Sequence, residues 1–135
     1  MFTRRRCLLW LSLPALLVSL RAGATPALQQ AMQRARAMRD AAVRAGDQPY
    51  GAVVLRGEQI VGEAPSRVIT VNDPAAHAER EALKDAIRRT GGADLAGCVL
   101  VSTSRPCRLC EAAAAQARIA RMVHGDALTD AGPPA

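Results

Sequence analysis

The chain has 135 residues, half of them apolar and 22% charged. That balance is globular, and the length suits one domain, which excludes a multidomain architecture, a repeat solenoid and a multispan membrane protein. The formal charge of +6 is unevenly placed: Arg4, Arg5, Arg6 and Arg21 fall in the first 24 residues without any acid, and the remainder carries 14 basic against 12 acidic residues.

The first 24 residues read as an export signal. Arg4 to Arg6 form a positive n-region, and Leu8 to Leu20 form an apolar stretch interrupted by Ser12, Pro14 and Ser19. Ala22-Gly23-Ala24 is a small-x-small cleavage site. The apolar stretch is shorter than the about 20 residues that a membrane span needs. The twin arginines with Leu8 and Leu9 behind them suit the pathway that exports folded proteins. An ordinary secretory signal is the alternative. Both predict a periplasmic protein with no membrane attachment after cleavage, and residues 25–135 as its domain.

The spacing of Leu28, Ala31, Met32, Ala35, Met38, Ala42 and Val43 predicts a helix over 27–45. Thr25 would cap it, Pro26 would occupy its first turn and Gly46 would close it. Tyr50 to Leu55 is a β-type run, and Gln59 to Gly62 returns after the turn at Arg56-Gly57-Glu58. A loop with Pro65, Asn72, Asp73 and Pro74 leads to a second helix, from Ala75 to Arg89, that stops at Gly91-Gly92. Cys98 to Thr103 is a short apolar run, predicted as a buried strand. A third helix starts at Pro106 and reaches Arg118, and Ile119 to Val123 is a further strand. The tail from Thr129 is expected to be frayed. Helix, hairpin, helix, strand, helix, strand implies an α/β domain with helices covering a mixed sheet.

Two fragments carry chemistry, and each opens a predicted helix: His77-Ala78-Glu79, and Pro106-Cys107-Arg108-Leu109-Cys110. Cysteines at i and i+3 share one helix face. The unpaired N–H groups and dipole of a first helical turn favour thiolate over thiol. His77 as third ligand leaves the fourth position of a zinc ion for water, the pattern of a catalytic site. Glu79, two residues on, can stand beside the metal and move protons without binding it. A lone C-x-x-C is weak evidence, whereas the H-x-E and P-C-x-x-C fragments in this order are a strong signature.

With these fragments the chain resembles the cytidine and deoxycytidylate deaminase superfamily. It looks most like the guanine, cytosine, nucleoside and tRNA adenosine deaminase branch. Pro49-Tyr50-Gly51-Ala52-Val53, Asn72-Asp73-Pro74-Ala75-Ala76-His77-Ala78-Glu79 and Asp94-Leu95-Ala96-Gly97-Cys98 extend the likeness over roughly residues 27–125. The resemblance implies a three-layer α/β/α sandwich, short at its C-terminus, and a homodimer. It implies Zn2+ on His77, Cys107 and Cys110. It further implies hydrolytic deamination of a purine or pyrimidine base or nucleoside, with water on zinc attacking the amino-bearing ring carbon and Glu79 as proton shuttle. The backbone at Ala78 would meet the base, and Ser66 stands where the family often places a base-contacting Asn. Arg105 stands where the family usually has Glu.

Other readings compete with this one. Cys107 and Cys110 could form a redox pair or a disulfide. The short C-terminus, Arg105 and Ser66 would also suit a non-catalytic zinc-binding domain. A tRNA editor would need a basic groove and stacking aromatics. The balance of 14 to 12 charges and the single aromatic, Tyr50, beyond residue 24 argue against nucleic acid. Cys98 reads as a core thiol, His124 as a surface residue, and Arg34, Arg36, Arg39 and Arg44 as a solvated helix face. Tyr50 could line the site or sit in the core.

Overall fold

The computed structural model describes residues 24–135. The predicted export signal, apart from Ala24, lies outside the described residues. In chain order the elements are α1 (Pro26–Arg44), β1 (Gly51–Arg56), β2 (Gln59–Pro65), α2 (Ala78–Thr90), β3 (Val99–Ser102), α3 (Arg108–Gln116), β4 (Arg121–His124) and β5 (Thr129–Gly132). The five strands form one sheet in the order β2-β1-β3-β4-β5. β3 and β4 run parallel, joined through α3, and the other pairs are antiparallel. This is the expected α/β sandwich with a mixed sheet. Among the described residues no helix is long and apolar enough to cross a membrane.

Side chains alternate across a strand, and here that alternation builds two cores. Ala52, Val54, Leu100 and Met122 face one way and pack with Ala82, Leu83 and Ala86 of α2 and Ala114 of α3. Val53, Leu55, Val101 and Val123 face the other way, against Leu28, Ala31, Met32 and Ala35 of α1. Each fully buried Val or Leu contributes about 1.5–3 kcal/mol. Most of the helical contact residues are alanine, so helices and sheet lie close together. Gly51 and Gly62 make that approach possible. A Cβ at Gly51 would collide with the Ala35 carbonyl and the Arg39 amide of α1. One at Gly62 would come within 2.6 Å of Ala82 and Ala86 in α2.

Local chemistry sets the helix ends. Thr25 Oγ1 accepts the Leu28 N–H at 3.2 Å and Pro26 opens α1. Gly91, at φ 76°, takes the left-handed conformation that ends α2. α2 begins at Ala78 and not at Ala75, because Asp73 holds that stretch in a turn. Its Oδ1 accepts the Ala75 N–H at 2.9 Å and its carbonyl accepts the Ala76 N–H at 3.0 Å. α3 is likewise shorter than its sequence pattern, starting after Cys107. β2 continues past Gly62 to Pro65, since that glycine seats α2 and does not end the strand.

One expectation is overturned at the C-terminus. Residues 129–132 are not frayed: they form β5, paired antiparallel with β4. The turn between them uses Gly125 at φ 71° and Leu128 at φ 51°. Arg121 and Asp130 pair across it at 3.0 Å. β5 therefore covers the β4 flank with a short, exposed, charge-bearing edge of the kind that discourages further pairing.

Candidate active site

The loops that enter α2 and α3 bring the chemistry together. His77 is the N-cap of α2 and Cys107 the N-cap of α3, both with extended backbone and neither using its side chain as a cap. Those side chains turn to each other and to Cys110, in the first turn of α3. His77 Nδ1 lies 3.6 Å from Cys107 Sγ and 3.4 Å from Cys110 Sγ. The two sulfurs are 3.4 Å apart, far beyond the about 2.05 Å of a disulfide, and both cysteines are free. The structure therefore holds the pair as free thiols and not as a disulfide.

The donor set fits zinc. One imidazole nitrogen and two sulfurs lie within 4.8 Å of one another. A tetrahedral ion with Zn–S of about 2.3 Å and Zn–N of about 2.0 Å sets its ligands about 3.5–3.8 Å apart. Burial, and then the neighbouring Glu79 carboxylate, push the Cys110 thiol well above the ordinary thiol range. A thiolate at that position needs a cation beside it, which a divalent metal supplies. Two helix N-termini point their positive ends at the same place.

Glu79 is the second residue of α2 and is only 4% exposed. Its Oε1 accepts a hydrogen bond from Ser102 Oγ at 2.6 Å, and Cys110 Sγ lies 3.7 Å from its Oε2. Ser102 ends β3 and is fully buried. A hydroxyl in an apolar strand needs a partner. That need was the available signal for Ser102, which sequence reasoning missed.

A cleft of about 450 Å³ opens beside these groups. His77, Ala78, Glu79 and Cys107 line it. Gln48, Tyr50, Ser104 and Arg105 complete its lining. Tyr50, left open between core and site, is 41% exposed and belongs to the site. Ser66 is placed elsewhere. It is buried, does not line the cleft, and gives its hydroxyl to Asp47 Oδ1 at 2.9 Å. Its hydroxyl is engaged by Asp47, and the structure gives Ser66 no place on the cleft wall.

Asp47 organises the loop that carries Ser66. Its carboxylate accepts the N–H groups of Gln48 at 2.8 Å, Ile69 at 3.0 Å and Thr70 at 2.8 Å. Burial raises its pKa, but the Thr70 and Gln48 amides and the Ser66 hydroxyl outweigh that and bring it down to about 2. Cys98 is a fully buried core thiol. His124 is half-buried in β4, beside Ser102 in the register, and is not one of the clustered donors. On α1, Arg34 grips Glu63 through two bonds of 2.7 Å, and Arg36 pairs with Asp126. Those arginines form the expected solvated face.

Residues 26–126 match the model of the cytidine and deoxycytidylate deaminase zinc-binding region. The chain belongs to this family. The zinc site on His77, Cys107 and Cys110 is the one typical of it. Among its relatives, the tRNA(Ile)-lysidine synthase of Deinococcus deserti is 40% identical over 106 residues, which is 78% of this chain and 20% of that protein. The tRNA-specific adenosine deaminase of Aquifex aeolicus is 37% identical over 89 residues, or 64% of this chain and 59% of that one. The X-ray structure of guanine deaminase from Bacillus subtilis superposes with a TM-score of 0.67 at 34% identity, covering 73% of this chain and 63% of that one. This family member thus spans between a fifth and somewhat under two thirds of those relatives' lengths.

Proposed function

We propose that this zinc-site deaminase-family protein is an active hydrolase that removes the amino group from a purine or pyrimidine base or its nucleoside. The observation that carries the reading is the position of Glu79. It is a buried carboxylate with one oxygen held by Ser102 and the other beside Cys110, lining an open cleft.

Zinc held by His77, Cys107 and Cys110 would supply the Lewis acidity that makes water nucleophilic near neutral pH. Glu79 accepts the proton of that water through Oε2, the oxygen not held by Ser102. It delivers that proton to the ring nitrogen, then takes the second proton from the oxygen that has added to the ring carbon and passes it to the amino group, which leaves as ammonia. Oxygen replaces nitrogen on the ring carbon. The tight Ser102 bond keeps the carboxylate in one orientation for both transfers. The backbone at Ala78 borders the ring, and the exposed Tyr50 side chain offers it a stacking face.

Relatives named for free guanine and for tRNA adenosine are similar to comparable degrees. The modest excess of basic residues beyond position 24 and the single aromatic there support the small-molecule substrate. The test is ammonia release by the zinc-loaded chain from guanine, cytosine, adenine and their nucleosides, with a tRNA anticodon stem-loop in the same panel. Release from a base or nucleoside supports the reading. Release from the RNA alone redirects it, and silence across the panel leaves the non-catalytic zinc domain as the function.

We also propose that the chain is exported to the periplasm and works as a homodimer. Residues 1–24 support the first, and the family resemblance supports the second. N-terminal sequencing of protein recovered from periplasm, where cleavage after Ala24 is expected, and mass measurement in solution test them separately.

A further inference from the structure

Gln48 brings to the cleft a carboxamide that the proton-transfer chemistry does not use. Among the described residues it is the only carboxamide side chain lining the cleft that holds Glu79. Burial sets it apart as well. The other five glutamines and Asn72 are exposed, whereas Gln48 is half-buried. None of its polar atoms is sealed from solvent without a partner, so the amide opens on the cleft. The backbone beneath it is fixed at both ends. The Gln48 N–H donates to the buried Asp47 carboxylate at 2.8 Å, and the Gln48 carbonyl accepts the Tyr50 N–H at 2.8 Å. Pro49, between them, has a set φ and holds the residue before it in extended backbone. Asp47 is itself bound by the Ser66 hydroxyl and by the Ile69 and Thr70 amides. A side chain on so constrained a segment meets a ligand with little ordering left to do.

We propose that Gln48 is a specificity-determining residue, and that it reads a lactam edge of the substrate, a ring N–H beside a ring carbonyl. A primary carboxamide carries a donor and an acceptor side by side, and a lactam carries the same pair in complementary order. The other free polar groups of the cleft match it less well. The hydroxyls of Tyr50 and Ser104 present a single atom each, and the Arg105 guanidinium only donates. The inference rests on the deaminase reading of the cleft, which commits the reacting amino group to Glu79 and the metal. With that group engaged, guanine and cytosine still offer a lactam, whereas the rings of adenosine and cytidine offer acceptors only. A ring without the lactam leaves the half-buried amide with a bond unmade, which is how a hydrogen-bonding site rejects the wrong ligand.

The experiment is titration calorimetry of the zinc-loaded full chain with hypoxanthine and with purine. These two rings differ by the lactam alone, and neither carries an amino group, so binding is read without ammonia release. The expected result is tighter binding of hypoxanthine by about tenfold or more in the wild type, from two hydrogen bonds. Gln48→Leu, of similar volume, should bring the ratio close to one, chiefly by weakening hypoxanthine. Gln48→Glu keeps the shape and an acceptor but loses the donor, and should not retain the preference. Melting temperature and zinc content check that both variants are folded and loaded. Equal affinity for the two rings in the wild type, tighter purine, no binding of either, or a preference that survives Gln48→Leu overturns the proposal. The deaminase reading fails separately, if the wild type releases no ammonia from guanine, cytosine, adenine or their nucleosides.

Discussion

Ser102 Oγ donates to Glu79 Oε1 at 2.6 Å, and both side chains are withdrawn from solvent. The strand that forms the middle of the sheet thus holds the acid that begins α2. Removing the hydroxyl leaves a buried carboxylate oxygen without its partner, a loss of about 1–3 kcal/mol. Ser102→Ala is expected to lower kcat by about tenfold to a hundredfold, while zinc content stays at the wild-type level. Ser102→Thr, which keeps a hydroxyl, should retain more of the rate. Steady-state kinetics beside metal analysis checks this, and an unchanged kcat in Ser102→Ala would deny Ser102 a positioning role.

Metal removal should be costly and pH-dependent. Three donors from two helix starts face one another, and Cys110 holds its proton strongly without a cation because of its burial and Glu79. Zinc binding must then release protons, so affinity rises with pH across the neutral range and falls in acid. Chelation should lower the melting temperature, and Cys110→Ala or His77→Ala should abolish stoichiometric zinc. Calorimetric titration of zinc in buffers of different ionisation enthalpy counts the protons directly.

Asp47 gives a second pH signature. Its folded pKa, about 2, lies below its ordinary 3.8. Its stabilising contribution is therefore complete above about pH 4 and is lost as pH falls through 2. Asp47→Asn should lower the melting temperature at pH 7, and the gap to wild type should close progressively as pH drops towards 2. Melting curves of both proteins across that range check the sign. The same substitution loosens the loop over residues 66–70, which joins β2 to the turn before His77.

The close approach of α1 to the sheet predicts a steep local cost. Gly51→Ala would drive a methyl into the Ala35 carbonyl and Arg39 amide, with backbone on both sides and little room to yield. Overpacking of this kind costs about 1–3 kcal/mol or more. Gly57→Ala, where a Cβ meets nothing but the turn requires a positive φ of 59°, tests conformational strain alone. Denaturant melts of the two variants separate the effects, and Gly51→Ala should lose more stability through packing.

The metal donors and Glu79 were legible in the sequence because their chemistry demands particular residue types at short fixed spacings, at the starts of helices. The sandwich was legible because apolar periodicity changes from helical to alternating at the right places. Ser102 was not, because its partner lies 23 residues away and only folding brings them together. Asp47 was hidden for the same reason, its contacts with Ser66 and Thr70 spanning 19 and 23 residues. β5 escaped notice because Thr129-Asp130-Ala131-Gly132 has no apolar alternation and gains its shape from the backbone of β4. Gly62 looked like a strand end, although its role is to admit a helix.

If Glu79 transfers protons at a zinc site it does not build, zinc binding and turnover must part company when its carboxylate is lost. Zinc content and ammonia release should be measured side by side for the wild type and Glu79→Gln, on the best substrate of the panel. Zinc occupancy should be equal in both, with release falling by about 10²–10⁴-fold in the variant. Release that survives Glu79→Gln, or a variant that loses its zinc, would contradict it.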